Sequence, residues 1–79
     1  METAAKLIFE DLRKRYQKSV IGKKELAKEL GVSPSTIDVY MARGYGVPNY
    51  KKLGTAKNAR VVFNLVDVAN FLANTVQTA

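Results

Sequence analysis

Between Thr3 and Lys18 the apolar residues Ala5, Ile8, Phe9, Leu12 and Tyr16 recur at three- and four-residue steps, the spacing that puts side chains on one face of an α-helix. Lys6, Glu10, Arg13 and Lys14 fall on the opposite face, and Thr3 is a candidate N-cap. The basic run Arg13–Arg15 lies in the last turns, where cations suit the helix dipole. Ser19 and Gly22 bracket a short connection. Leu26, Ala27 and Leu30 then predict a second, shorter helix that Gly31 can end as its C′ residue. Ser33 caps a third helix, with Pro34 at the first helical position, where its missing N–H costs nothing. Ile37, Tyr40 and Met41 form its apolar stripe, and Gly44 terminates it.

Beyond Val47–Pro48 the period changes: a short strand Asn49–Leu53, a polar loop Gly54–Ala59 and a second strand Arg60–Asn64 predict a hairpin. Alternation turns Val61 and Phe63 toward a core and leaves Arg60, Val62 and Asn64 on the face that meets solvent or a ligand. Asn64, with Asp67 three residues on, resembles a capping box for a final helix, whose apolar side is Leu65, Val68, Phe71, Leu72 and Val76. The expected fold is mainly α with a small β-hairpin, a single domain over residues 1–79. Its parts are an N-terminal helix 3–18, a helix pair 23–43, a hairpin 49–64 and a C-terminal helix 65–76.

Within the helix pair, Ala27 is small where two helices would cross, Gly31 takes a bend that strains any residue with a Cβ, and Val32 plugs the corner. Leu26, Leu30, Ile37 and Tyr40 can close a core beneath it. This is the logic of a helix-turn-helix. A chain of 79 residues buries little surface and has scant room for an enclosed active site. Its net charge of +6, from 13 basic and 7 acidic residues, favours a polyanionic partner. The charge is uneven: no acidic residue occurs from Val39 to Val66, a stretch that holds Lys51, Lys52, Lys57 and Arg60.

Cysteine and histidine are both absent, which removes disulfides, thiol nucleophiles, soft metal ligands and the usual proton shuttle. A non-enzymatic protein without metal or cofactor is expected. Gly22-Lys23-Lys24 lacks the preceding glycine loop of a P-loop, and Glu25 and Glu29 read as surface ion pairs with Lys24 and Lys28 on the same helix. No apolar run approaches the ~20 residues of a membrane span, and no signal peptide is evident, so a cytoplasmic, nucleoid-associated protein is expected.

The residues Glu25-Leu26-Ala27, Gly31-Val32-Ser33, Ser35-Thr36-Ile37, Gly44, Pro48, Tyr50-Lys51-Lys52-Leu53-Gly54, Val62-Phe63, Asp67-Val68 and Phe71-Leu72 together carry a resemblance. With this set the chain resembles the excisionase and AlpA-like group of small phage and mobile-element DNA-binding proteins, which share a winged fold with the DNA-binding part of the MerR family. The resemblance implies a winged helix-turn-helix, with a helix in the major groove and a wing on the flanking backbone. It departs in three places: the Thr3–Lys18 helix lies outside the usual core, Gly44–Pro48 is a longer connection, and Asp38 and Val39 stand where larger polar or basic groups are common.

Because Ile37, Tyr40 and Met41 face inward, the outward positions Ser35, Thr36, Asp38, Val39, Ala42 and Arg43 are the candidate base readers, with Ser33 at the helix start suited to a phosphate. Arg43 suits guanine or a phosphate, Asp38 can accept from cytosine N4 or pair with a nearby lysine, and Val39 or Ala42 can touch a thymine methyl. Tyr50, Lys51, Lys52, Lys57 and Arg60 are candidate backbone contacts in the wing, and Asn58 can reach a minor-groove edge. The expected partner is double-stranded DNA, bound as a homodimer or cooperative array because one small module reads few bases, with the Thr3–Lys18 helix the candidate contact. The rival expectation is a protein-interaction adaptor that uses that helix and keeps the winged fold as scaffold.

Overall fold

The computed structural model describes residues 3–55 and 59–74. Helix α1 (Thr3–Tyr16) leads through strand β1 (Val20–Ile21) into α2 (Lys23–Leu30) and α3 (Pro34–Arg43). Strands β2 (Lys51–Leu53) and β3 (Arg60–Asn64) and helix α4 (Leu65–Ala73) follow. The chain is mainly α-helical with a small antiparallel sheet, an arrangement compatible with a winged helix-turn-helix that carries a further helix at its N-terminal side. Val76, expected in the last helix, lies outside the described residues.

The helix pair follows its local chemistry. Gly31 adopts φ +73° and its N–H reaches the carbonyl of Lys28, a left-handed turn that side chains with a Cβ rarely accept. Ile37 and Leu26 are fully buried on either side of that corner, Ala27 is buried with them, and Val32 packs against the same cluster. The long connection after α3 also has a physical account. Gly46, at φ +90°, approaches the Tyr40 ring so closely that a Cβ there would sit 3.1 Å from it, and Pro48 is buried behind.

The sheet differs from the expected hairpin in two respects. Residues 20–21, read as connection, form a third strand, and the order β1-β3-β2 makes β3 the central strand. The register sets Val20 opposite Asn64, Ile21 opposite Phe63, Lys51 opposite Val62 and Leu53 opposite Arg60. Val62, expected to face solvent, is buried: on its face of the sheet Lys51 lies opposite and Val20 lies diagonally, across from Asn64, and these with Tyr50 line the shallow depression around it. The capping box expected at α4 is half made: the Asn64 side chain accepts from the Val66 N–H at 2.8 Å, and no reciprocal bond from Asp67 accompanies it.

Helix α1 packs chiefly along α4. Ala5 and Leu12 are buried and Ile8, Phe9 and Tyr16 lie partly against the core, as the periodicity predicts. The helix ends two residues before Lys18, at Tyr16, because Gln17 turns left-handed at φ +53° and redirects the chain into β1. Thr3 is the first described residue and is itself helical.

The carboxylates of α2 select partners on another element. Glu29 accepts from Arg15 at 2.6 Å and from the Tyr16 hydroxyl, while Glu25 pairs with Lys18 at 2.9 Å and accepts from the Gly22 N–H at 3.0 Å. Lys24 and Lys28, the expected partners, take no part in these pairs, since the end of α1 brings cations against the side of α2 that bears the carboxylates. Burial alone would raise the Glu29 carboxyl, but the hydrogen bonds from Arg15 and Tyr16 outweigh it and hold it below its ordinary 4.5. Burial first, and the bond to Glu29 second, push the Tyr16 phenol up to about 12 from 10.0. At Glu25 too, burial would raise the carboxyl, but the hydrogen bonds from Gly22 and Lys18 outweigh it and hold it below its ordinary value.

Two outcomes are expected. Gly31→Val should lower the unfolding free energy by more than ~1 kcal/mol and Ile37→Ala by ~2–5 kcal/mol, measured by denaturant titration; no loss in either variant would displace the corner. Lowered carboxyls stabilise above 4.5 and lose that contribution as the pH falls through their folded values, whereas a raised phenol stabilises below 10.0 and loses its contribution as the pH climbs toward about 12. Stability against pH should therefore show a plateau with a fall on each side. In Glu29→Gln the acid fall should become shallower, retaining the share due to Glu25, and the alkaline fall should change little because burial is the larger cause at Tyr16.

Candidate nucleic-acid interface

Helix α3 begins at a closed cap. The Ser33 Oγ accepts from the Thr36 N–H at 3.2 Å and lies 2.9 Å from the Thr36 hydroxyl, with Pro34 in the first turn. Part of the outward N–H capacity expected at this helix start is thus already bonded, and Thr36 is only half exposed. Burial of Ile37 turns Ser35, Asp38, Val39, Ala42 and Arg43 outward, and all five are exposed. Of the predicted readers, these form one accessible helix face.

Asp38 is not free on that face. Lys23, the first residue of α2, reaches across the corner and places its Nζ 2.7 Å from the Asp38 Oδ1. Lys23 and Lys24 also line, with Gly22, Glu25, Ala59, Arg60 and Val61, an open depression of about 380 Å³ where the start of α2 meets the base of the hairpin. The positive charge of Arg60 acts on the Glu25 carboxyl from across this depression. Sequence reasoning singled out Arg60 but passed over Lys23 and Lys24 as DNA contacts, weighing the two against a P-loop and Lys24 as an ion-pair partner within its own helix. The available signal was a pair of lysines at the first turn of the leading helix, where the helix dipole itself disfavours cations.

In the hairpin, the register divides residues that the linear sequence groups together. Opposed residues of antiparallel strands share a face, so Lys51 and Arg60 lie on the side of Val62 and Leu53, and Lys52 lies on the side of Val61. Lys51, Lys52 and Arg60 are all exposed. Tyr50 is partly committed to packing: its ring lies 5.8 Å from that of Phe63, tilted by 58°, while 41% of the residue remains accessible. Met41, Gly44, Val47, Pro48, Asn49 and Tyr50 line a second open depression, of about 490 Å³, that joins the end of α3 to the start of β2. Lys57 and Asn58 lie outside the described residues.

Among the described residues no helix is long and apolar enough to cross a membrane, and no group of three or more acidic side chains is placed to hold a metal ion. Comparison with protein-family models, with curated proteins and with solved structures finds no match for this chain. The site is therefore read from its own geometry.

Removing the cap hydroxyl in Ser33→Ala should lower stability by ~0.5–2 kcal/mol and weaken amide protection in the first turn of α3. Hydrogen exchange at Thr36 and Ile37 checks it, and unchanged protection there would mean that the hydroxyl bond is not formed in solution.

Proposed function

We propose that this protein binds double-stranded DNA sequence-specifically, with α3 in the major groove and the β2–β3 hairpin against flanking phosphates, as a small transcription regulator or excisionase-like architectural factor. One observation carries the reading: a helix capped at its start and held by a glycine corner presents an exposed polar face that Lys23 of α2 reaches, and the same first turn of α2 meets the cation-bearing hairpin. The face offers Ser35, Asp38 and Arg43 as hydrogen-bonding groups and Val39 and Ala42 as small apolar ones, the mixture that discriminates base edges. Lys24, Lys51, Lys52 and Arg60 add exposed positive charge, which suits phosphates and gives salt-sensitive affinity. The role is one of binding, with no catalytic step and no cofactor, and a DNA-bound protein would be nucleoid-associated.

Self-association on DNA belongs to the same proposal, since one small module buries only about 600–1,000 Å² there. The apolar side of α1 is occupied within the fold, with Ala5 and Leu12 buried, so a second copy or an adaptor partner would have to use its other side, where Leu7 is 64% exposed among Lys6, Glu10 and Lys14. That limits the adaptor reading to a mostly charged surface.

Titration of a random-sequence duplex pool at several salt concentrations, followed by selection of bound duplexes, tests the proposal. Replacing Ser35 or Arg43 by Ala should change the selected sequence, each lost base contact being worth ~1–3 kcal/mol. Neutralising Lys51, Lys52 or Arg60 should weaken all duplexes alike, and each true phosphate contact should lower the slope of log affinity against log salt by about one. Because Lys51 and Lys52 lie on opposite sides of the hairpin, the variant with the larger slope change identifies the side that meets DNA. Binding without salt dependence, or none, would overturn the reading.

A further inference from the structure

Asp38 poses an electrostatic difficulty for a helix that is to lie among phosphates. An exposed carboxylate midway along the reading face is repelled by the polyanion and, by general Coulomb reasoning, weakens every duplex unless its charge is balanced nearby. The balance is present. Lys23 belongs to the other helix of the pair, and its Nζ lies 2.7 Å from the Asp38 Oδ1, with 36% of the lysine side chain and 59% of the aspartate side chain accessible. Lys24, its neighbour on the same turn, has no carboxylate partner within salt-bridge distance among the described residues. Since Lys23 bonds to Oδ1, the bond holds the carboxylate from the α2 side and leaves Oδ2 as an acceptor without a protein partner among the described residues.

We propose that Lys23 is a positioning residue for base recognition: it neutralises and orients Asp38 so that the remaining carboxylate oxygen accepts a hydrogen bond from an exocyclic amino group, on cytosine or adenine, in the major groove. This deepens the DNA-binding reading and rests on it. The pair is accessible to water and so weak in the free protein. As the groove excludes water around it, the attraction strengthens, and the lysine serves the aspartate rather than a phosphate. Two adjacent lysines of the same turn thereby have different roles: Lys24 acts as a phosphate cation, and Lys23 acts through Asp38. The corner at Gly31 makes this possible, because it folds the first turn of α2 back beside the middle of α3.

The test compares Lys23→Met, Lys23→Arg, Lys24→Met and Asp38→Asn on a random-sequence duplex pool, reading both the selected sequence and the salt slope. Lys23→Met and Lys24→Met remove the same charge. Of the two lysine-to-methionine variants only Lys23→Met should change the selected sequence, and at the same base pair as Asp38→Asn, whose amide can both accept and donate and so shifts the preference there; Lys23→Arg retains the preference. Asp38→Asn should also tighten binding to mixed sequence several-fold and steepen the salt slope by about one, because it frees the Lys23 cation. In the double variant Lys23→Met with Asp38→Asn, the slope should return to that of the unmodified protein and the preference stay changed. If Lys23→Met only weakens all duplexes as Lys24→Met does, with the selected sequence unchanged, the inference is overturned while DNA binding stands. If the unmodified protein shows no salt-dependent retention of the pool, both fall together. Thermal midpoints of all variants close to that of the unmodified protein guard against misfolding as the cause.

Discussion

Burial of the β3 segment is the constraint on which the other elements depend. Val61, Phe63 and Leu65 lie in one cluster with Leu12 of α1, Ile21 of β1, Leu26 and Ala27 of α2, Ile37 of α3 and Val68 and Ala69 of α4. Phe63 is fully buried, the largest side chain among the described residues to be so. An aromatic ring of that size contributes more apolar area than any aliphatic neighbour, and in a chain this short no second cluster could replace it. The strand sits between β1 and β2, with Arg60, Val61 and Val62 paired to β2 and Phe63 and Asn64 paired to β1, while its inward side chains pack against the helix pair. Asn64 then starts α4 directly, which fixes where α4, and hence α1, can lie.

Charge works at the margin of that core. The Arg15–Glu29–Tyr16 group and the Lys18–Glu25 pair join the end of α1 to α2 at the surface, where hydrophobic contact thins out. Exposed pairs of this kind contribute little each, but here they engage both acidic groups of α2, Glu29 with Arg15 and Glu25 with Lys18. Arg60 and Lys24 have no carboxylate within salt-bridge distance among the described residues, and although Glu25 lines the same depression and feels the Arg60 charge, cations outnumber carboxylates where the start of α2 meets the hairpin.

The mechanical side of the proposed role has the same origin. Recognition of base edges needs a helix whose outward side chains hold fixed positions, and α3 is capped at both ends, by Ser33 and by the left-handed Gly44, over a fully buried Ile37. Strand β2, by contrast, is exposed along its whole length, paired to β3 and preceded by Tyr50, whose ring packs against Phe63. In the proposed role, a helix capped over a buried residue would serve specificity and an exposed charged strand general affinity.

Local rules of the chain determined much of this by themselves. The three- and four-residue recurrence in α1, the glycine at the corner, the Ser33-Pro34 start and the face of α3 left open by Ile37 are all properties of a few neighbouring residues, and they hold whatever the rest of the chain does. Tertiary structure alone decided the remainder. Val20–Ile21 is too short to carry a period and becomes a strand only because β3 lies beside it. Val62 has the alternation of an exposed residue and is buried because β2 and Val20 of β1 bring side chains beside it on that face. Glu25, Glu29 and Asp38 find their cations on other elements, at sequence separations of 7, 14 and 15 residues, rather than on their own helix. Periodicity records which face of an element is apolar, but an ion pair or a strand edge depends on distances between elements, and those distances are set only when the core closes.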